Sequence, residues 1–253
     1  MCLIVVAHRV HPVYSLVIAA NRDEFLNRPA EAMHWWTDHS DILAGRDKRA
    51  GGTWMGVHRD GRWAAITNFR RRGEDQSGRP SRGEIVTGFL TSDKNACEYL
   101  ADLDATADAY NGFNLLLGLP EEIYYYGNRV PARQQRFEPL PPGVYGLSNH
   151  LLDTPWPKVE LAMSRLRKLC QSTDALEHKA IIEMLQDSSR PEDARLPDTG
   201  IGLDKERLLS AMFIQSDDYG TRCSTSLLAD NGLIRIREFT HDSAATAEFE
   251  IDR

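Results

Sequence analysis

The stretch CLIVVAHRVHPVYSLVIAANRDEF, residues 2–25, decides how this chain is read. Residues 2–7 form one β-branched apolar run and residues 14–20 another, with a polar break containing Pro12 between them. Two such runs around a short turn predict a β-hairpin buried on both faces. Antiparallel pairing returns residues 20–24 to the chain start, beside Cys2. Arg22, Asp23 and Glu24 are three consecutive charges closing an apolar strand, which is costly in a core unless they are paired. Their plain alternative is a solvated turn running into Asn27-Arg28-Pro29.

Outward from this hairpin, strands at 53–58 and 62–68 flank the turn signal Asp60-Gly61 and predict a second one. Residues 69–84 are a polar loop carrying Arg70, Arg71, Arg72, Arg79 and Arg82. Ser81 and Glu84 have the spacing of a capping box, predicting a helix to about residue 90, with a second helix over 92–105. Strands are expected at 114–118, 123–127 and 143–148, and helices at 157–170 and 176–185. A polar loop at 186–202 precedes strands at 221–229, 233–239 and 247–251, with Asp230-Asn231-Gly232 as a turn. Hairpins in runs and helices in groups indicate an α+β layered fold rather than alternating β-α-β units. With no internal repeat and no linker, residues 1–253 read as a single domain.

Composition narrows the function classes. The chain has 253 residues, 42% hydrophobic, and a net charge of -7. That balance argues against a general nucleic-acid or anionic-membrane surface, and the apolar content argues against disorder. No run approaches the roughly 20 apolar residues of a membrane span, so no integral membrane segment is expected. The first twenty residues lack the basic start of a signal peptide, and the cysteines are scattered without a C-x-x-C pair, so a cytoplasmic location is expected. His8, His11, His34 and His39 lack metal-ligand spacing; neither a metal nor a cofactor is expected.

Cys2 carries the first chemical signal. If Met1 is removed, a thiol and a free α-amine share one residue, and an α-amine titrating near 7.7–8.0 can accept the thiol proton. The competing reading is a small buried hydrophobe opening a core strand. Other polar groups close apolar strands: Thr67-Asn68, Ser148-Asn149, and Arg222 after Tyr219-Gly220-Thr221. Asparagine amides donate hydrogen bonds without charge, as an oxyanion hole requires, although asparagine is also a routine turn residue.

Taken together, Met1-Cys2, ANRDEF (20–25), GGTWMG (51–56), TNFR (67–70), GLSN (146–149) and YGTR (219–222) resemble the NRDE family, which includes the transport and Golgi organization proteins. That family in turn is similar to the N-terminal nucleophile (Ntn) hydrolases of the penicillin acylase and bile-salt hydrolase branch. The resemblance implies a four-layer αββα sandwich and a cysteine amide hydrolase or acyltransferase acting on a small N-acyl substrate. It implies Cys2 as nucleophile and Asp23 as the orienter of its α-amine. Asn68 and Asn149 become candidates for the oxyanion hole and amine positioning, and Arg22 and Arg222 for tuning the thiolate. Adjacent strand residues face opposite sides, so Asp23 is expected to face the site, with Arg22 free to pair with Glu24 instead. Trp54 and Arg70 are candidates for binding the substrate, through a pocket wall and through an anionic or acyl-linked group. The alternative is a non-catalytic binding or transport protein for haem or acyl-lipid-like ligands on the same fold. The oligomeric state is left open.

Overall fold

A computed structural model describes residues 2–131, 137–171 and 175–253. Strand β1 (Cys2–His8) is buried at every position, and its side chains divide by parity. Leu3, Val5 and Ala7 join one apolar cluster, while Ile4 and Val6 join another. Strand β2 (Leu16–Phe25) repeats the division, with Val17 and Ala19 on the first side and Leu16, Ile18 and Ala20 on the second. Side chains alternate across a pleated strand, so a hairpin apolar on both faces must be covered on both.

The hairpin sits inside a six-stranded antiparallel sheet. The partners are β9 (Gly143–Leu147), beside β1, and β10 (Tyr219–Ala229), beside β2, followed by β11 (Leu233–Thr240) and β12 (Ala245–Asp252). A second antiparallel sheet runs in sequence order through β3 (Ala30–Trp35), β4 (Ile42–Asp47), β5 (Met55–His58), β6 (Trp63–Asn68), β7 (Phe113–Leu119) and β8 (Glu122–Gly127). Ile4, Ile18 and Leu227 of the first sheet meet Leu43, Val57 and Trp63 of the second. Helices α1 (Gly83–Thr91) and α2 (Ala96–Thr106) cover the outer face of the second sheet through Ile85, Phe89 and Leu100. Helices α3 (Pro157–Cys170) and α4 (His178–Leu185) cover the other sheet, packing Val159, Leu166 and Ile181 on Leu3, Val5 and Val17. The layers are therefore α, β, β, α, as expected. Each fully buried aliphatic side chain in these three interfaces contributes about 1.5–3 kcal/mol.

Local departures from expectation have physical causes. β3 and β4 occupy a segment assigned no element, because a register shift between Glu31 and His34 breaks the alternation on this edge strand. Ser81 forms no capping box: Arg82 is the N-cap of α1, and Ser81 Oγ accepts only the Gly83 N–H, at 3.3 Å. The reciprocal box belongs to α2, where Asn95 and Glu98 cap each other, so that helix starts later than expected. A short helix, α5 (Leu203–Leu208), follows the polar loop, its periodicity hidden by its charged residues. Most consequential, β2 runs on to Phe25, so Asn21-Arg22-Asp23 lies within the sheet rather than beyond it.

Candidate active site

The register across β1, β2 and β10 assembles the site. Cys2 faces Arg22 across β1–β2, and Arg22 faces Cys223 across β2–β10. By parity Cys2 and Arg22 point between the sheets, like Ile4 and Ala20. Asn21 and Asp23 point the opposite way, toward the α3–α4 layer, and the Asn21 amide donates to the carbonyls of Leu185 (3.0 Å) and Met212 (2.8 Å) there. Asp23 Oδ1 accepts the Thr221 hydroxyl at 2.7 Å. A bulge at Arg222 makes this possible, because the register shift between Thr221 and Cys223 turns Thr221 onto the Asp23 side.

Cys2, Arg22, Asp23 and Asn68 line one chamber of about 640 Å³, together with Trp54 and residues of the 75–83 loop. Arg22 is 6% exposed, and its guanidinium stacks 4.1 Å from the centre of the Trp54 ring. Among the described residues no carboxylate pairs with Arg22; Glu24 lies 3.8 Å from Arg28 instead, and Arg28 pairs with Asp47 at 2.6 Å. The expected fallback, an Arg22–Glu24 pair, is thus absent, and Arg22 is the member of the motif on the Cys2 face. Burial pushes the Cys2 thiol up, Asp23 adds to the rise and Arg22 opposes it. A thiol in that setting needs a base to ionise at neutral pH.

Gly45 sets the depth of the stack. A Cβ there would lie 2.2 Å from a Trp54 ring carbon, so only glycine admits the indole. Gly45→Val is expected to expel Trp54 from beneath Arg22 and cost about 1–3 kcal/mol through overpacking. Thermal denaturation and Trp fluorescence check this; an unchanged midpoint and emission spectrum would contradict it.

Ser148-Asn149 joins the two sheets. Ser148 Oγ donates to the Cys2 carbonyl at 3.2 Å, and Thr67 Oγ1 donates to the Ser148 carbonyl at 2.5 Å. Asn114 Nδ2 donates to Thr67 Oγ1 at 3.3 Å, and the Tyr125 hydroxyl donates to Asn114 Oδ1 at 2.8 Å. The Asn149 amide donates to the Asn68 carbonyl at 3.1 Å, and the Asn149 carbonyl accepts the Arg70 N–H at 2.7 Å. Asn149 is fully buried and lies outside the residues lining the chamber, whereas Asn68 is one of them.

Two of the candidates lie elsewhere. Arg222 donates to the carbonyls of Phe25 (3.1 Å), Leu26 (3.2 Å) and Arg28 (3.1 Å) and pairs with Asp242 at 3.2 Å. It borders a smaller cavity with Cys223 and Glu238, which shares Arg22 and Trp54 with the chamber. Arg70 stacks 4.3 Å from the Trp156 ring centre and pairs with buried Glu206 at 3.2 Å. It borders a groove of about 440 Å³, lined by Phe25, Phe69, Leu208 and Tyr219, which adjoins the chamber at Glu24, Asn68 and Asp75. In the loop, Arg71 pairs with Glu74 and Arg82 with Asp75, while Arg79 and Arg82 reach the chamber rim. Among the described residues no cluster of three or more metal-ligating side chains occurs.

One charged residue near this site escapes sequence reading. Lys158, in the first turn of α3, is 4% exposed. Burial brings its ammonium down to about 8, with the Asp23 carboxylate opposing the fall. The signal was Trp156-Pro157-Lys158: proline opens a helix, and a cation in a first turn faces the positive end of the helix dipole.

A four-layer αββα sandwich with a cysteine opening its first strand, beside a buried arginine and a polar chamber, defines the class of protein. The sequence profile of the Transport and Golgi organisation 2 family matches residues 1–241, and the chain belongs to that family. The mouse Transport and Golgi organization 2 homolog is 35% identical, with 99% of this chain and 96% of the relative aligned. The human Transport and Golgi organization protein 2 homolog is 37% identical over 91% of this chain and 89% of its own length. Among solved structures, the C2A mutant of conjugated bile acid hydrolase from Clostridium perfringens aligns over 99% of this chain and 92% of its own, at 10% identity and a TM-score of 0.45. No helix among the described residues is long and apolar enough to cross a membrane.

Proposed function

We propose that this protein is an N-terminal-cysteine amide hydrolase or acyltransferase acting on a small N-acyl substrate. The observation that carries the reading is the placement of Cys2, in register with an Arg22 that no carboxylate pairs among the described residues, at the wall of a chamber also lined by Asn68. Met1 lies outside the described residues, and the mechanism requires its removal. The freed α-amine takes the thiol proton, and Cys2 Sγ attacks the amide carbonyl. Arg22 favours the thiolate and the Asn68 amide donates to the developing oxyanion, where a single donor is worth roughly 10²–10³ in rate. As the C–N bond breaks, the α-ammonium returns its proton to the departing amine. Water or an acceptor amine then attacks the thioester and releases the acyl group. Asp23, on the far side of the strand, orients the α-amine; Asn149 holds the Asn68 backbone, and Arg222 secures the turn after β2. The adjoining apolar groove suits the acyl portion, with Arg70 at its base, and Trp54 and the arginine-rimmed chamber suit an anionic portion. The chain acts as one domain, because these groups come from both sheets, and its reduced cysteines suit the cytoplasm.

Incubating Met-processed protein with a panel of N-acyl amides and recording intact mass tests the reading. An acyl adduct mapped to Cys2, with release of the matching amine, is the expected result. Saturable ligand binding without adduct or turnover, unchanged in Cys2→Ala, would instead establish a binding or transport protein.

A further inference from the structure

The chamber wall reverses the charge balance of the chain. The sequence carries 37 acidic and 30 basic residues, yet the residues lining the chamber include five arginines against four carboxylates. The carboxylates are all engaged. Arg28 holds Asp47 at 2.6 Å and Glu24 at 3.8 Å, Arg82 holds Asp75 at 2.9 Å, and Asp23 accepts the Thr221 hydroxyl. Among the described residues Arg22, Arg49 and Arg79 have no carboxylate partner, and Arg22, 6% exposed, makes no hydrogen bond. Arg79 is held by neutral acceptors: its Nε donates to Gln76 Oε1 at 3.0 Å and its Nη1 to the carbonyls of Asp108 and Tyr110, which leaves Nη2 uncommitted. A guanidinium fixed in this way has lost its rotamer freedom before a ligand arrives, and it offers a charged donor to an acid group. The adjoining groove is different. Its wall is Phe25, Phe69, Leu208 and Tyr219; Glu206 and Glu74 neutralise its Arg70 and Arg71, and Lys205 shares it with Asp218.

We infer that the amine half of the substrate carries a carboxylate, as in an N-acyl amino acid, and that Arg79 and Arg49 are the specificity-determining residues that bind it. Cys2 lines the chamber alone, whereas Asn68 borders both chamber and groove. An amide held at Cys2 and Asn68 therefore extends one half into the groove and the other toward Arg49 and the 75–83 loop. Glu24 and Asp75 stand where the two spaces join and repel an anion from the groove side. Five arginines against four carboxylates leave one positive charge on the chamber wall, which a monoanion balances and a phosphate dianion exceeds. The inference rests on the amide hydrolase reading for which half departs, but the preference for a carboxylate stands by itself.

The preference is measured by calorimetric titration of Cys2→Ala, which holds a ligand without acylation. The probes are N-decanoylglycine and its neutral counterpart N-decanoylglycinamide. The acid is expected to bind at least about tenfold tighter, the worth of one hydrogen bond to a charged group. Arg79→Met and Arg49→Met are each expected to lower that ratio by about three- to tenfold. Arg72→Met removes the same charge from the same loop but outside the chamber wall, and is expected to leave the ratio in place. The Arg49 side chain makes no hydrogen bond or ion pair among the described residues, so its variant decides the matter if Arg79→Met does not fold. An acid that fails to bind, or binds no tighter than the amide, would overturn the inference. So would a ratio unmoved in either chamber variant or lowered as far by Arg72→Met, or a tighter fit for N-decanoyl phosphoethanolamine. Equal affinities overturn this inference alone, and a substrate panel that leaves Cys2 without an adduct overturns the amide hydrolase reading alone.

Discussion

Cys2→Ala is expected to lower turnover of any accepted N-acyl amide by at least about a thousandfold, since removing the nucleophile leaves only binding and oxyanion stabilisation. The same change removes one buried sulfur, so the loss of stability is expected to stay near about 1 kcal/mol. A second variant separates the thiol from the amine. A permanent N-terminal extension keeps the Cys2 thiol but converts its α-amine to an amide, removing the base. It is expected to lose turnover as Cys2→Ala does, although alkylation at high pH still labels the thiol. Steady-state rates and peptide-mapped alkylation make the measurement. Turnover surviving in Cys2→Ala would end the acyl-enzyme mechanism. Turnover surviving only in the extended form would leave the thiol and assign its base elsewhere.

The largest stability effect is expected at Glu206. Its carboxylate pairs with Arg70 at 3.2 Å, both groups being almost fully buried, and its other oxygen accepts the Thr199 N–H at 2.8 Å and hydroxyl at 2.6 Å. Arg70 is also clamped over Trp156, the residue that caps α3 just before Lys158. Removing one member of a buried pair strands the other charge, so Glu206→Leu is expected to cost about 3–5 kcal/mol. The double variant Arg70→Met, Glu206→Leu strands nothing, and most of that loss is expected to return. Denaturant unfolding of the singles and the double forms the cycle. A Glu206→Leu cost below about 1 kcal/mol would show the pair to be solvated in solution.

How much of this was legible depends on how local each cause is. The opening hairpin was, because two β-branched runs joined by a short polar turn can bury both faces in only one way, and pairing them returns Arg22 to Cys2. Ser81 with Glu84 and Asn95 with Glu98 share the capping spacing, and only the second pair forms the reciprocal box. Arg22 and Asp23 were expected to compete for one site. Strand parity turns their side chains to opposite faces of the sheet, although both residues border the chamber. Glu206 was invisible as a matter of range: it meets Arg70 only when segments remote in sequence stack.

The sequence by itself determined the layered α+β class, the hairpin that sets Cys2 beside the Asn21-Arg22-Asp23 run, and the family, because these follow from apolar periodicity and short-range pairing. Tertiary structure alone decided which polar groups reach the chamber. A one-residue bulge sends Arg222 to the Phe25–Arg28 turn, a missing Cβ at Gly45 seats Trp54 beneath Arg22, and the packing of α3 buries Lys158. Side-chain direction in a sheet reverses with every residue, so a single bulge or a single packed helix settles what composition and spacing leave open.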